Sequence, residues 1–166
     1  YPFFSTQIAL MKDGELILGV SQAPLFGQTA WAQRGHGAFL NDAPLTVSDI
    51  GTLEDAAIST GNTHSLASGD RWQALGDIVA RCGRIRGYGD FLHYHLLAGG
   101  QIDGVIESDV NILDIAALTV IVREAGGVMT DLSGGPIALE TTSVLAANQS
   151  MYNVLASALG TPLTDP

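Results

Sequence analysis

The sequence is poor in three things: it has a single cysteine, few basic residues, and no apolar run long enough to cross a bilayer. One cysteine cannot close an internal disulfide, which suits a reducing compartment. Cys82 falls in a predicted helix among apolar neighbours and reads as a buried structural thiol, not a nucleophile. Only 7 Lys and Arg stand against 17 Asp and Glu, a net charge of −10. With no basic stripe, nucleic acid is excluded as a partner. Without a spanning run or a signal-peptide pattern, the expected place is the cytoplasm, with no membrane partner. An initiating methionine is missing too: Tyr1-Pro2 open the chain, which reads as a piece of a longer or processed protein.

What is present is a chain of 166 residues, 46% hydrophobic and 14% charged, enough for one domain with a real core. Residues 1–40 read as antiparallel β-structure. Runs from Ser5 to Met11 and Glu15 to Val20 flank Asp13-Gly14, a hairpin turn signal. A strand over Gln28–Gln33 follows, then a reversal at Gly35 and Gly37 that carries His36, expected to be exposed or structural. Ala56–Thr60 is a short strand, residues 61–69 a polar loop, and Asp70–Arg81 a helix with Trp72, Leu75, Ile78 and Val79 on one face. From Arg84 onward the order is strand, helix, strand, helix, strand, strand, helix, with a frayed tail over Thr161–Pro166. Alternating strands and helices predict an α/β fold, an α+β layering of sheets covered by helices, with no internal linker.

The chain is organised around residues 106–127. Asn111 is a predicted N-cap and Gly126 a helix stop. Between them the helix is apolar nearly all round and should be buried. Asp114 sits in its first turn. A desolvated carboxylate needs a partner, and two accounts are equally good from this stretch alone. It is a helix-end carboxylate stabilised by the amide dipoles, or it is a ligand for a hard cation. Glu124, about 80° further round a 3.6-residue helix, reads as structural.

The run LDIAALTVIVREAGG resembles the signature Trp-Asp-x-Ala-Ala … Glu-Ala-Gly-Gly of the inositol monophosphatase family, magnesium-dependent phosphatases of sugars and alcohols. The usual tryptophan is Leu113 here, which should alter packing under the site. The stretch YPFFSTQIALMKDGELILGVSQAPLFGQTAWAQRGHGAFLNDAPLTVS also resembles the family, which implies an inositol-monophosphatase-like fold. In relatives this stretch follows an Asp-Pro-x-Asp-Gly-Thr metal motif. The resemblance therefore implies that residues 1–166 are a single partial domain, the C-terminal portion, with the other metal carboxylates upstream. It assigns Asp114 to Mg2+ and Glu107 to the alcohol part of a small phosphorylated substrate. Gly89-Asp90, followed by Phe91 and Tyr94, resembles the histidinol-phosphate phosphatase branch and implies substrate contacts there.

Left to itself, Glu107 reads as an exposed strand-end residue, Asp90 as a cap for the helix after it, and Phe91 and Tyr94 as core. The implied reaction is hydrolysis of histidinol phosphate to histidinol and phosphate, a step of histidine biosynthesis. Two magnesium ions ~3.5–4 Å apart clamp the attacking and leaving oxygens in such chemistry, which suits an acidic protein. These residues alone would then be inactive, and no residue of this stretch is a certain catalytic group. An inositol or sugar monophosphatase is the alternative within the family, and a noncatalytic ligand-binding relative the alternative outside it. Relatives commonly dimerise, so a homodimer is expected of the complete protein.

Overall fold

In the computed structural model, which describes residues 2–163, Asp13 and Gly14 both take positive φ, 53° and 80°. Only a turn of that kind matches the twist of the flanking strands. It pairs β1 (Thr6–Lys12) with β2 (Glu15–Ala23), and β3 (Gln28–Gln33), β4 (Ala38–Leu40) and β5 (Ala43–Leu45) extend the antiparallel meander. The result is a five-stranded sheet in the order β1-β2-β3-β4-β5, with β1 at one edge.

The rest of the chain builds a second five-stranded sheet from β6 (Ala57–Gly61), β7 (Arg84–Arg86), β8 (Gly104–Ser108), β9 (Gly127–Thr130) and β10 (Ser143–Asn148), in the order β7-β6-β8-β10-β9. Strand β6 runs parallel to both its neighbours, and β10 antiparallel to both of its own. The helices are α1 (Thr63–Ala67), α2 (Trp72–Arg81), α3 (Leu92–Ala98), α4 (Ile112–Glu124) and α5 (Gln149–Leu159). Among the described residues no helix is long and apolar enough to cross a membrane.

The elements stack in layers. Helices α3 and α4 lie between the two sheets, in a core that joins Ala30 and Ala32 to Leu118, Ile121, Val105 and Ala146. Helices α2 and α5 cover the far side of the second sheet, with Leu75, Ile78, Met151 and Leu155 packed on Ile58, Ile106 and Leu145. As predicted, α4 is apolar all round, and every residue from Ile115 to Val122 is buried. It lies so close to β2 that a Cβ on Gly19 would stand 2.3 Å from the Ala117 carbonyl oxygen. Small residues at both positions allow that approach. Gly126, at φ 90°, ends the helix.

Several expectations need correction. The polar loop after β6 contains the short helix α1. On α2 only Leu75 and Ile78 are buried, while Trp72 and Val79 are largely exposed. Cys82 lies just past that helix and is half-buried. The tail is docked at its start: Thr161 is buried, and its hydroxyl donates to the Leu132 carbonyl at 2.8 Å. Residues 164–166, also expected to fray, lie outside the described residues. Leu113 is 80% exposed and so packs under nothing. His36 is exposed, and Glu124 accepts the Gly37 amide at 2.9 Å, a structural tie across the Gly35–Gly37 reversal.

Candidate functional site

A strand alternates its side chains, so Val105 and Glu107 of β8 face the α3–α4 layer while Ile106 faces the opposite core. That places a carboxylate in an interior. Glu107 is 4% exposed, which overturns the strand-end surface account. A buried carboxylate must be paired or hydrogen-bonded, and α3 supplies both partners. His93 Nε2 lies 3.0 Å from Glu107 Oε2, and the Tyr94 hydroxyl donates to the same oxygen at 2.6 Å. Burial first, and the Glu107 charge second, push the Tyr94 phenol well above its ordinary range. It therefore stays protonated and remains a donor.

The other oxygen, Oε1, faces β6. Gly61 is the register partner of Glu107 across the parallel pair, and a Cβ there would stand 2.0 Å from Oε1. Only glycine leaves room for the carboxylate.

Glu107 forms part of the wall of a cavity of about 320 Å³ lined also by Ser5, Gln7, Asn62, Asp90, Asp109 and Asp114, with Phe3, Phe91, Tyr94, Val110 and Ile115 as its apolar surface. Asp90, Glu107 and Asp114, far apart in sequence, are thus brought together. Gly89 does not line the cavity; at φ 67° it turns the chain into Asp90. Three lining residues other than glycine hold positive φ: Asn62 (49°), Asp90 (49°) and Asp109 (57°). Such backbone is costly and persists where the surroundings fix it, as at functional sites. Asn62 fixes one part, its amide donating to the Ser108 and Asp109 carbonyls at 2.7 and 3.3 Å.

Asp114 is exposed at the start of α4. Only the helix beyond it is buried, so the desolvation that seemed to demand a partner is absent. Its Oδ2 accepts from the Asn111 backbone at 3.2 Å and the Asn111 side-chain amide at 2.6 Å, while Asn111 Oδ1 accepts the Leu113 amide at 2.9 Å. This reciprocal cap holds the carboxylate at the cavity. Asp90 is one residue ahead of the N-cap of α3, which is Phe91 and makes no side-chain cap bond.

The residue pattern alone did not single out His93, Gly61, Asn62 or Asp109. The acid in the Ser108-Asp109 turn and the Gly61-Asn62 strand end were the available signals. Among the described residues lining the cavity, four are carboxylates and none is Lys, Arg or His. Such a wall repels a phosphate ester and attracts cations. An exposed carboxylate like Asp114 is the oxygen donor that a hard divalent ion takes. Among the described residues no group of three or more His, Cys, Asp or Glu could hold a metal ion.

The sequence profile of the inositol monophosphatase family matches residues 1–161. The chain is 39% identical over 141 residues to a histidinol-phosphatase of Mycobacterium tuberculosis, covering 80% of this chain and 53% of that protein. It is 34% identical over 167 residues to an inositol-1-monophosphatase of Mesorhizobium japonicum, covering 98% of this chain and 62% of that protein. It therefore spans between about half and three-fifths of the length of these relatives. The crystal structure of the extragenic suppressor protein SuhB from Bartonella henselae superposes with a TM-score of 0.87 at 36% identity, covering 95% of this chain and 62% of that one.

Proposed function

The chain belongs to the inositol monophosphatase family, and we propose that it carries the substrate wall and one metal carboxylate of a magnesium-dependent phosphomonoesterase. One observation carries this reading: Asp90, Glu107 and Asp114 stand on a single cavity with no basic side chain among its described lining residues. A phosphate ester enters such a cavity only if cations offset the acidic wall.

Asp114 is proposed as one magnesium ligand, held at the mouth by Asn111. The other ligands are proposed to be the upstream carboxylates that the family signature implies. Bound there, magnesium would neutralise the phosphoryl oxygens and ionise the attacking water. The residues of this chain do the rest by binding and orientation. Glu107 offers Oε1 to the alcohol part of the substrate, because Oε2 is already occupied by His93 and Tyr94. Asp90 offers a second carboxylate across the cavity.

Two acceptors suit a substrate that brings a cation. We propose L-histidinol phosphate, whose ammonium group would make charge-assisted hydrogen bonds to both, with Phe91 and Tyr94 as apolar surface for its imidazole. An inositol-type substrate is the second reading, favoured by the match to an inositol-1-monophosphatase over 98% of the chain.

Phosphate release by the full-length protein at saturating magnesium tests the activity. Asp114→Asn keeps the size and much of the cap but removes the charge, so turnover should fall at least ~100-fold, the scale of losing one electrostatic stabiliser. The circular dichroism spectrum should not change. A variant as fast as wild type at limiting magnesium would leave Asp114 as a helix cap and nothing more.

A further inference from the structure

We propose that His93 is a positioning residue, and that with Ser59 it forms a buried strut tying the loop of Asp90 to Glu107. This rests on the assignment of those two carboxylates to the alcohol part of the substrate.

His93 has no exposed surface. A polar ring in a core costs free energy unless both nitrogens are satisfied, and here both are. Nε2 lies 3.0 Å from Glu107 Oε2, and Nδ1 lies 3.3 Å from the Ser59 hydroxyl. A carboxylate only accepts, so Nε2 carries the proton. In neutral imidazole Nδ1 is then the acceptor, and the Ser59 hydroxyl donates to it. Ser59 Oγ accepts in its turn from the Tyr88 amide at 3.3 Å, and Tyr88 stands two residues before Asp90. The bonds therefore run in one direction, from the Tyr88 amide through Ser59 and His93 to Glu107 Oε2. One end holds the segment that bears Asp90, and the other holds Glu107.

The strut also decides which oxygen meets the substrate. His93 and Tyr94 both engage Oε2. The other oxygen, Oε1, lies against Gly61. Without His93, Glu107 Oε2 keeps Tyr94 as its hydrogen-bond partner, and the Ser59 link from the Tyr88 amide no longer reaches Glu107.

The test is steady-state kinetics on the full-length protein with L-histidinol phosphate. His93→Leu should raise KM more than ~10-fold, the scale of one hydrogen bond to a charged group, and leave kcat within about threefold. His93→Gln, which keeps a donor toward Glu107, should recover most of that loss. Ser59→Ala should raise KM about two- to fivefold, the scale of one neutral hydrogen bond. If His93→Leu does not fold, the Gln and Ala variants carry the comparison. Side-chain nitrogen NMR of the wild type should show His93 protonated at Nε2 and bare at Nδ1.

Wild-type KM in His93→Leu, accompanied by a lowered melting temperature, would make His93 a packing residue and overturn the proposal. So would the opposite tautomer. If L-histidinol phosphate is not hydrolysed at all, the substrate reading fails on its own. The same variants, read on inositol 1-phosphate, then decide the strut.

Discussion

One methyl group at position 61 should be enough to dislodge the Glu107 side chain. The Cβ of Gly61→Ala would stand 2.0 Å from Glu107 Oε1, 2.6 Å from Cδ and 2.8 Å from Cγ. A glutamate end is ordinarily flexible and would swing away at little cost. Here it is buried and tied on its other side by His93 and Tyr94, so moving it breaks both bonds. Each hydrogen bond to a charged group contributes ~1.5–3 kcal/mol, which sets a gross loss of about 3–6 kcal/mol. The reduced entropy of the unfolded chain returns only ~0.4–1 kcal/mol. Urea unfolding of the purified chain should therefore show Gly61→Ala destabilised by about 2–5 kcal/mol, the difference of those two contributions. The same change in a Glu107→Ala background should be nearly neutral, since the side chain it strikes is gone. Equal losses in both backgrounds would instead place the strain in the β6–β8 backbone.

Two further outcomes are expected. His95 is buried between Ser21 and Gln28, and burial lowers its pKa from 6.5 to about 4. The unfolded chain takes up a proton below pH 6.5 that the folded chain refuses until about 4. Its contribution is fully present above the upper value and falls as pH drops between the two, by on the order of 3 kcal/mol. Denaturant titrations of wild type and His95→Gln across that window should differ in slope, and parallel curves would contradict the assignment. Strand β1 is a sheet edge with Ile8 and Leu10 exposed and Ile8 close to Leu113, and such edges pair with one another. Sedimentation velocity of the 166-residue chain should show self-association that Ile8→Lys reduces, and a monomer at all concentrations would count against it.

Where the physics is local, the sequence was legible. The Asp13-Gly14 hairpin, the strand over Gln28–Gln33 and the order of elements from Arg84 onward follow from turn residues and periodicity. So does α4, whose cap, apolar girth and glycine stop all lie within one stretch. The exposed strand-end account of Glu107 failed because the partners that bury it sit 13 and 14 residues earlier, on another element. Tyr94 read as a core residue beside Phe91, and nothing in the local pattern distinguished His93. The burial expected at Asp114 failed in the opposite sense: an apolar pattern shows that a helix is buried, and cannot show that its first turn reaches open surface. Gly61 illustrates the same limit. A glycine at a strand end signals a turn, while the carboxylate it makes room for becomes visible only when β6 and β8 are paired.

Selection by Asp90 and Glu107 of an alcohol bearing a cation, as proposed, would show in a single ratio. Using the full-length protein at saturating magnesium, kcat/KM is measured for L-histidinol phosphate and for inositol 1-phosphate, in wild type and in Asp90→Ser. Wild type should prefer L-histidinol phosphate. Asp90→Ser should erase most of that preference, a change of ~1.5–3 kcal/mol for one charged hydrogen bond, or roughly ten- to a hundredfold. Preference for inositol 1-phosphate in the wild type, or a ratio that Asp90→Ser leaves unmoved, would contradict the account.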